Sequence, residues 1–236
     1  MALRKIALQG EECLTKVCRP VTEFNDRLHT LLDDMAETLE EAGGVGLAAP
    51  QVGILRRVCI VLNEDDEIIE LINPEIVYTE GEETALEGCL SVPGKYGEVT
   101  RPYVVRVKAQ DRDGQWFEVE DEGITARCFC HEIEHLDGHL FVEHTDHLME
   151  GEELQQWLAD HADQYEIEDA EVEEAMPVYG CYTFMSNANK DLFHTPVPIS
   201  NLSATFSPKM YFWSIKHSEL KRNKLLTQNP GWTYND

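Results

Sequence analysis

Basic residues are scarce in this sequence. Its 236 residues hold 19 Lys and Arg against 45 Asp and Glu, a formal net charge of −26. So acidic a chain is a poor match for a nucleic-acid backbone, which calls for a basic surface, so no specific nucleic-acid partner is expected. The deficit is uneven. Residues 1–180 carry net −29 and residues 181–236 carry net +3, and no Lys or Arg occurs between Arg127 and Lys190. Long apolar runs are missing too: no stretch reaches 18 residues, which predicts no membrane span. The opening MALRKIALQGEECL has basic residues but neither an apolar core nor a small-residue cleavage site, so no secretory signal is expected. The cysteines are seven, an odd number without framework spacing. Free or metal-bound thiols in a reducing cytoplasm fit that usage. A P-loop is also absent, because the Gly-rich stretch lacks the following Lys-Ser/Thr.

What remains is enough for a folded domain, with 42% hydrophobic residues. Residues 25–41 place Leu28, Leu31, Leu32, Met35 and Leu39 on one helical face, with Asn25 or Asp26 as cap and Gly43-Gly44 as stop. GGVGLAAPQVG reads as a close-packed turn. RVCIVLN (57–63) and EIIELINP (67–74) read as strands. Residues 98–123 read as two strands joined at Asp113-Gly114. A helix over 124–136 and an acidic helix over 150–162 follow, then an acid-dense, linker-like 163–175. The order of helix, strands, helix, helix predicts an α+β domain.

CHEIEHLDG (130–138) is the segment with chemistry in it. On a helix, His131 and His135 share a face and can point at one ion. Glu132 lies about a quarter-turn from His131, placed for a general base rather than a ligand. The pattern alone is weak, since this composition produces HExxH in roughly one chain in twenty by chance. Its apolar flanks, Ile124, Phe129, Ile133 and Leu136, argue for a buried helix, and buried histidines need partners. A catalytic metal needs a third protein ligand and an open position. A third histidine six residues on is excluded, because that position is Phe141. Glu152, Glu153 or a cysteine remain.

Two further segments, GVGLAAPQ (44–51) and EGCLS (87–91), precede HEIEHLDG. Each alone passes for a structural turn or a buried cysteine. Together and in this order they resemble the peptide deformylase family, over roughly residues 1–160. Two positions depart from the usual family pattern: Cys130 stands where glutamine is common and Glu134 where aspartate is common. Neither is a ligand or the base, and Cys130, adjacent to His131, is expected to face elsewhere.

The resemblance implies antiparallel or mixed β-sheets packed around a central helix carrying HExxH. It implies a catalytic domain at 1–165; residues 166–236 read as an acidic linker and C-terminal extension of unknown role, which we expect to be dispensable for activity. Cys89, His131 and His135 would hold a divalent metal, Fe(II) in most of the family, with Ni, Co or Zn as alternatives. Glu132 would be the general base, and Gln51 with the Leu90 N–H would stabilise the oxyanion. Gly44, Val45 and Gly46 would meet the substrate backbone, and Cys128 would join Val45 in a methionine pocket. The implied reaction is removal of the formyl group from N-formylmethionyl nascent peptides in the cytoplasm. The acid of 150–175 reads first as a solvated face and second as a surface attracted to basic ribosomal proteins. Glu87 and Arg101 read as two surface charges in preference to a pair.

Overall fold

The computed structural model describes residues 2–161; the predicted extension 166–236 lies outside them, and so do Cys181 and all of 163–175. All described residues fall within one compact unit.

The first helix, α1 (Asp26–Ala42), forms as its pattern predicts. The Asn25 side chain accepts from the Arg27 and Leu28 N–H groups, and Gly43 ends the helix at φ 67°. Asn at the cap satisfies orphan donors, and glycine adopts the left-handed conformation without a Cβ penalty. Leu28, Leu31, Leu32, Met35 and Leu39 are all buried against Leu47, Val58, Ile60 and Ile72.

Among the described residues seven strands follow. They are β1 (Gly46–Ala48), β2 (Val58–Leu62), β3 (Ile68–Glu80), β4 (Glu83–Cys89), β5 (Val92–Arg101), β6 (Val104–Gln110) and β7 (Trp116–Glu122). They make a five-stranded sheet, ordered β1-β2-β3-β6-β7, and a separate β4-β5 hairpin. Every strand pairing in the two sheets is antiparallel.

Three expectations change. GGVGLAAPQVG is not a single turn. Its centre is the edge strand β1, with Leu47 opposite Ile60, and Ala49–Val52 is a short 3-10 turn. Next, β3 continues well past Pro74. Asn73 takes a positive φ of 52° and the register shifts between Ile72 and Glu75, so the missing proline N–H falls at a bulge. Lastly, residues 98–123 belong to three strands. Pro102 separates β5 from β6, and β5 pairs back on β4 rather than on β6.

The central helix α2 (Gly123–Asp137) lies against the larger sheet. Ala126, Phe129, Ile133 and Leu136 pack with Cys59, Leu71, Val105 and Val107. Gly138, at φ 85°, closes the helix; a Cβ there would meet the Thr15 backbone at 2.8 Å. The last helix, α3 (Gly151–Asp160), buries Leu154 and Leu158 beside Leu86, Tyr96 and Met149. Among the described residues, no helix is long and apolar enough to cross a membrane.

Candidate metal centre

Two elements meet at the chemistry. Cys89 is the last residue of β4, where the hairpin register breaks between Gly88 and Cys89. His131 and His135 lie one helical turn apart on α2. One ligand atom from each of the three residues falls within 4.8 Å of the others, and the side chains are 2%, 2% and 1% exposed. Cys89 Sγ is 3.3 Å from His135 Nε2. The two imidazoles stand edge to face at 4.9 Å.

Buried polar groups at this density require partners, and the ones present are specific. His131 Nδ1 donates to Glu87 Oε1 at 2.7 Å. An ionised carboxylate can only accept, so the Nδ1 proton is fixed and the Nε2 lone pair is turned away from Glu87. Burial alone would raise the Glu87 pKa. Hydrogen bonds and charge from His131 and Arg101 hold it well below the usual carboxylate range. Burial, helped by His131, keeps His135 neutral by pushing its pKa well down. Two imidazoles and a cysteine sulfur at one point are a donor set suited to a divalent transition metal.

Glu87 and Arg101 are not surface charges. Arg101 Nε and Nη2 donate to the two Glu87 carboxylate oxygens at 3.2 and 2.8 Å, and both side chains are buried. Arg101 Nη1 also donates to Glu134 Oε1 at 2.5 Å, and Glu134 in turn meets His144 Nε2 at 3.1 Å. Thus Glu134, one of the two family departures, keeps a structural partner. A second buried guanidinium, Arg127, reaches Glu87 Oε2 at 3.1 Å. Sequence reading missed Arg127. Its only signal was a basic residue amid the apolar flank of a buried helix.

Glu132 is fully buried, and neither carboxylate oxygen has a hydrogen-bond partner among the described residues. Burial pushes its pKa up to about 7, against the pull of His131 and with the Glu87 charge adding to the rise. A carboxyl titrating near neutrality, beside a metal-ligand cluster, is suited to moving protons.

Gln51 is fixed at both ends of its amide. Its Oε1 accepts from the Ala48 N–H at 2.7 Å, and its Nε2 points to Ser91 Oγ at 3.2 Å and Cys89 Sγ at 3.6 Å. The amide donor therefore faces Cys89 of the candidate cluster. Leu90 follows Cys89 directly and is 2% exposed. Gly46 lies against Glu132 so closely that a Cβ would sit 2.5 Å from Glu132 Oε1 and 2.5 Å from Cys128 Sγ. Cys128 Sγ contacts the Val45 carbonyl at 3.5 Å. Gly44 is packed between Leu39 and Leu90.

Other histidines, acids and cysteines near the helix are engaged elsewhere or lie outside the cluster. His139 pairs with Glu143 and His147 with Glu153. Glu152 lies outside the cluster. Cys130, on α2 itself, belongs to the apolar core cluster, where burial pushes its thiol up to about 11. Leu86 is plain core, surrounded by Tyr96, Met149, Leu154 and Leu158.

A family model described as polypeptide deformylase matches residues 3–150. The peptide deformylase of Agathobacter rectalis is 55% identical over 143 residues, 61% of this chain and 90% of that protein. The peptide deformylase of Thermoanaerobacter pseudethanolicus is 49% identical over 156 residues, 66% of this chain and 98% of its own. Among solved structures, a peptide deformylase from Legionella pneumophila has a TM-score of 0.60 at 47% identity, covering 61% of this chain and 87% of that one. The peptide deformylase of Thermotoga maritima also reaches 0.60, at 38% identity, over 62% of this chain and 100% of its own. The matched span contains every residue of the buried cluster, and the chain belongs to the polypeptide deformylase family, metal-dependent hydrolases that remove the formyl group from the N-terminus of new polypeptides.

Proposed function

We infer that Cys89, His131 and His135 hold the divalent metal of this deformylase and that Glu132 is its general base. One observation carries the reading. Glu132, adjacent to His131, is fully buried with no hydrogen-bond partner for its carboxylate among the described residues, beside three converging ligand atoms. A non-catalytic metal site would have no use for it, and an endoprotease of the HExxH type would not need Cys89.

A divalent ion held there supplies Lewis acidity, bringing the pKa of water from about 16 toward about 7. Fe(II) is the proposed native ion, with Ni, Co or Zn as substitutes, because a thiolate with two imidazoles accepts all of them. The rest is the work of side chains. Glu132 takes the proton from the attacking water and later delivers it to the departing amine nitrogen, so formate and a free N-terminus result. As charge grows on the formyl oxygen, the Gln51 Nε2–H and the Leu90 N–H donate to it. Each such donor is typically worth about 3–4 kcal/mol. Gln51 needs no reorganisation, since its amide is already held by Ala48 and Ser91.

The N-formylmethionyl peptide aligns along the edge strand β1 and its approach, at Gly44, Val45 and Gly46, and Val45 and Cys128 border the methionine side chain. Residues 1–165 form the catalytic domain and 166–236 an extension not needed for turnover. The enzyme works in the cytoplasm, and its acidic surface favours basic protein surfaces of the ribosome over RNA.

The test is formate release from a formyl-methionyl tripeptide by anaerobically prepared protein carrying Fe(II) or Ni(II). Glu132→Gln should bind metal normally and lose activity by at least a thousandfold. A metal-loaded Glu132→Gln enzyme with near-normal turnover would refute the assignment of the base.

A further inference from the structure

The metal centre joins two elements that share no strand pairing. Cys89 belongs to the β4-β5 hairpin, while His131 and His135 belong to α2, which packs on the other sheet. The distance from thiol to imidazoles therefore depends on whatever ties hairpin to helix. Arg127 makes such a tie. It lies on α2 one turn before His131 and is 2% exposed. Its Nη2 donates to the Glu83 carbonyl on β4 at 2.8 Å. Its Nη1 donates to the Val99 carbonyl on β5 at 2.8 Å and to Glu87 Oε2 at 3.1 Å.

A guanidinium is tolerated at such depth only when its fork of donors is used and its charge is met. Here both conditions are satisfied by the hairpin alone: two backbone carbonyls, one on each strand, and the carboxylate that orients His131. None of these hydrogen bonds goes to Cys89, His131 or His135. Arg101 offers a second link, from β5 to Glu134 on α2, but it approaches from the strand side. Arg127 starts from the ligand-bearing helix itself.

We propose that Arg127 is a positioning residue that sets the seat of the Cys89 hairpin on α2, and with it the separation of the three metal ligands. This rests on the reading of Cys89, His131 and His135 as the metal site. The planar fork is essential to the role, because it spans two strands at once; a lysine at the same place carries the charge but reaches fewer acceptors.

Cobalt tests this. Metal-free protein is titrated with Co(II) against a chelator, and the visible thiolate-to-cobalt band is recorded, with far-UV circular dichroism on the same samples. R127M should remain folded at low temperature, bind Co(II) at least tenfold more weakly and show a shifted or weakened thiolate band. Its cobalt-loaded form should lose kcat with KM changed less than about twofold. R127K should fall between R127M and wild type. A folded R127M with wild-type affinity and band would overturn the proposal. If R127M fails to fold, R127K decides in the same way: a wild-type band and affinity there would overturn it. Wild type and Cys89→Ser serve as reference. A wild type that binds no cobalt, or a Cys89→Ser variant that keeps the thiolate band, would sink the metal-site reading rather than the role of Arg127.

Discussion

Replacing Gly46 by alanine adds one carbon at the point of closest approach between β1 and α2. That carbon would sit 2.5 Å from Glu132 Oε1, 2.8 Å from Glu132 Cγ and 2.5 Å from Cys128 Sγ. Ordinary contact begins near 3.4 Å, so relief requires movement of about 1 Å. Gly46 is not among the glycines with positive φ, so alanine costs nothing in backbone strain there. The whole effect is displacement. Overpacking of this kind typically costs about 1–3 kcal/mol of stability. A misplacement of about 1 Å at a reacting group costs on the order of a hundredfold in rate. Gly46→Ala should therefore stay folded and metal-loaded but lose about a hundredfold in kcat. Adding Cys128→Ala removes the sulfur but leaves the clash with Glu132. The double variant should regain stability and remain slow. Chemical denaturation and initial-rate formate assays on the same preparations separate the two effects. A Gly46→Ala enzyme within threefold of wild type, or full rescue of rate by Cys128→Ala, would refute the reasoning.

Other outcomes follow from particular residues. Asp34 accepts from the Ala2 N–H at 2.7 Å and from Arg4 Nε at 3.2 Å; the Ala2 bond first, then Arg4, holds its carboxyl below the usual 3.8 against the effect of burial. Because the folded value is depressed, its stabilisation is present above the unfolded value and lost as pH falls through the folded one. The stability gap between wild type and Asp34→Asn should then be widest near neutral pH and narrow below about pH 4, read by urea unfolding; a gap that widens in acid would contradict it. Phe129 is fully buried between α2 and the larger sheet, so Phe129→Ala should cost about 3–5 kcal/mol in the same measurement. Ending the chain at Glu174 should leave kcat/KM within about twofold. A large loss would show that the extension takes part in turnover.

Local rules reached far in this chain because several of its signals are local. The face of α1, its Asn25 cap and its Gly43 stop lie within one segment, and so does the one-turn spacing of His131 and His135. The strands were harder. β3 was cut short at Pro74, since a proline normally ends a strand unless a bulge receives it. That bulge depends on Asn73, whose amide side chain bonds Val21 and Gln110, far away in sequence. Pairing partners carry no label in the alternation itself, so β5 was joined with β6 into one strand instead of being folded back on β4.

The site divides along the same line. The sequence by itself offered the candidates: a thiol, two imidazoles one turn apart, an adjacent carboxylate and a side-chain amide, in three segments recognisable by their resemblance to a family. Only the tertiary structure decided what surrounds them. Glu87 and Arg101 looked like surface charges because composition does not report burial, yet they are locked in a buried pair beside His131. Arg127 was invisible because its partners lie on two strands 28 and more residues away, and a guanidinium in an apolar run makes sense only once those carbonyls arrive. Side-chain chemistry, which a sequence states outright, narrows the candidate ligands. Ligand geometry follows from long-range hydrogen bonding and desolvation, which exist only after the chain has closed on itself.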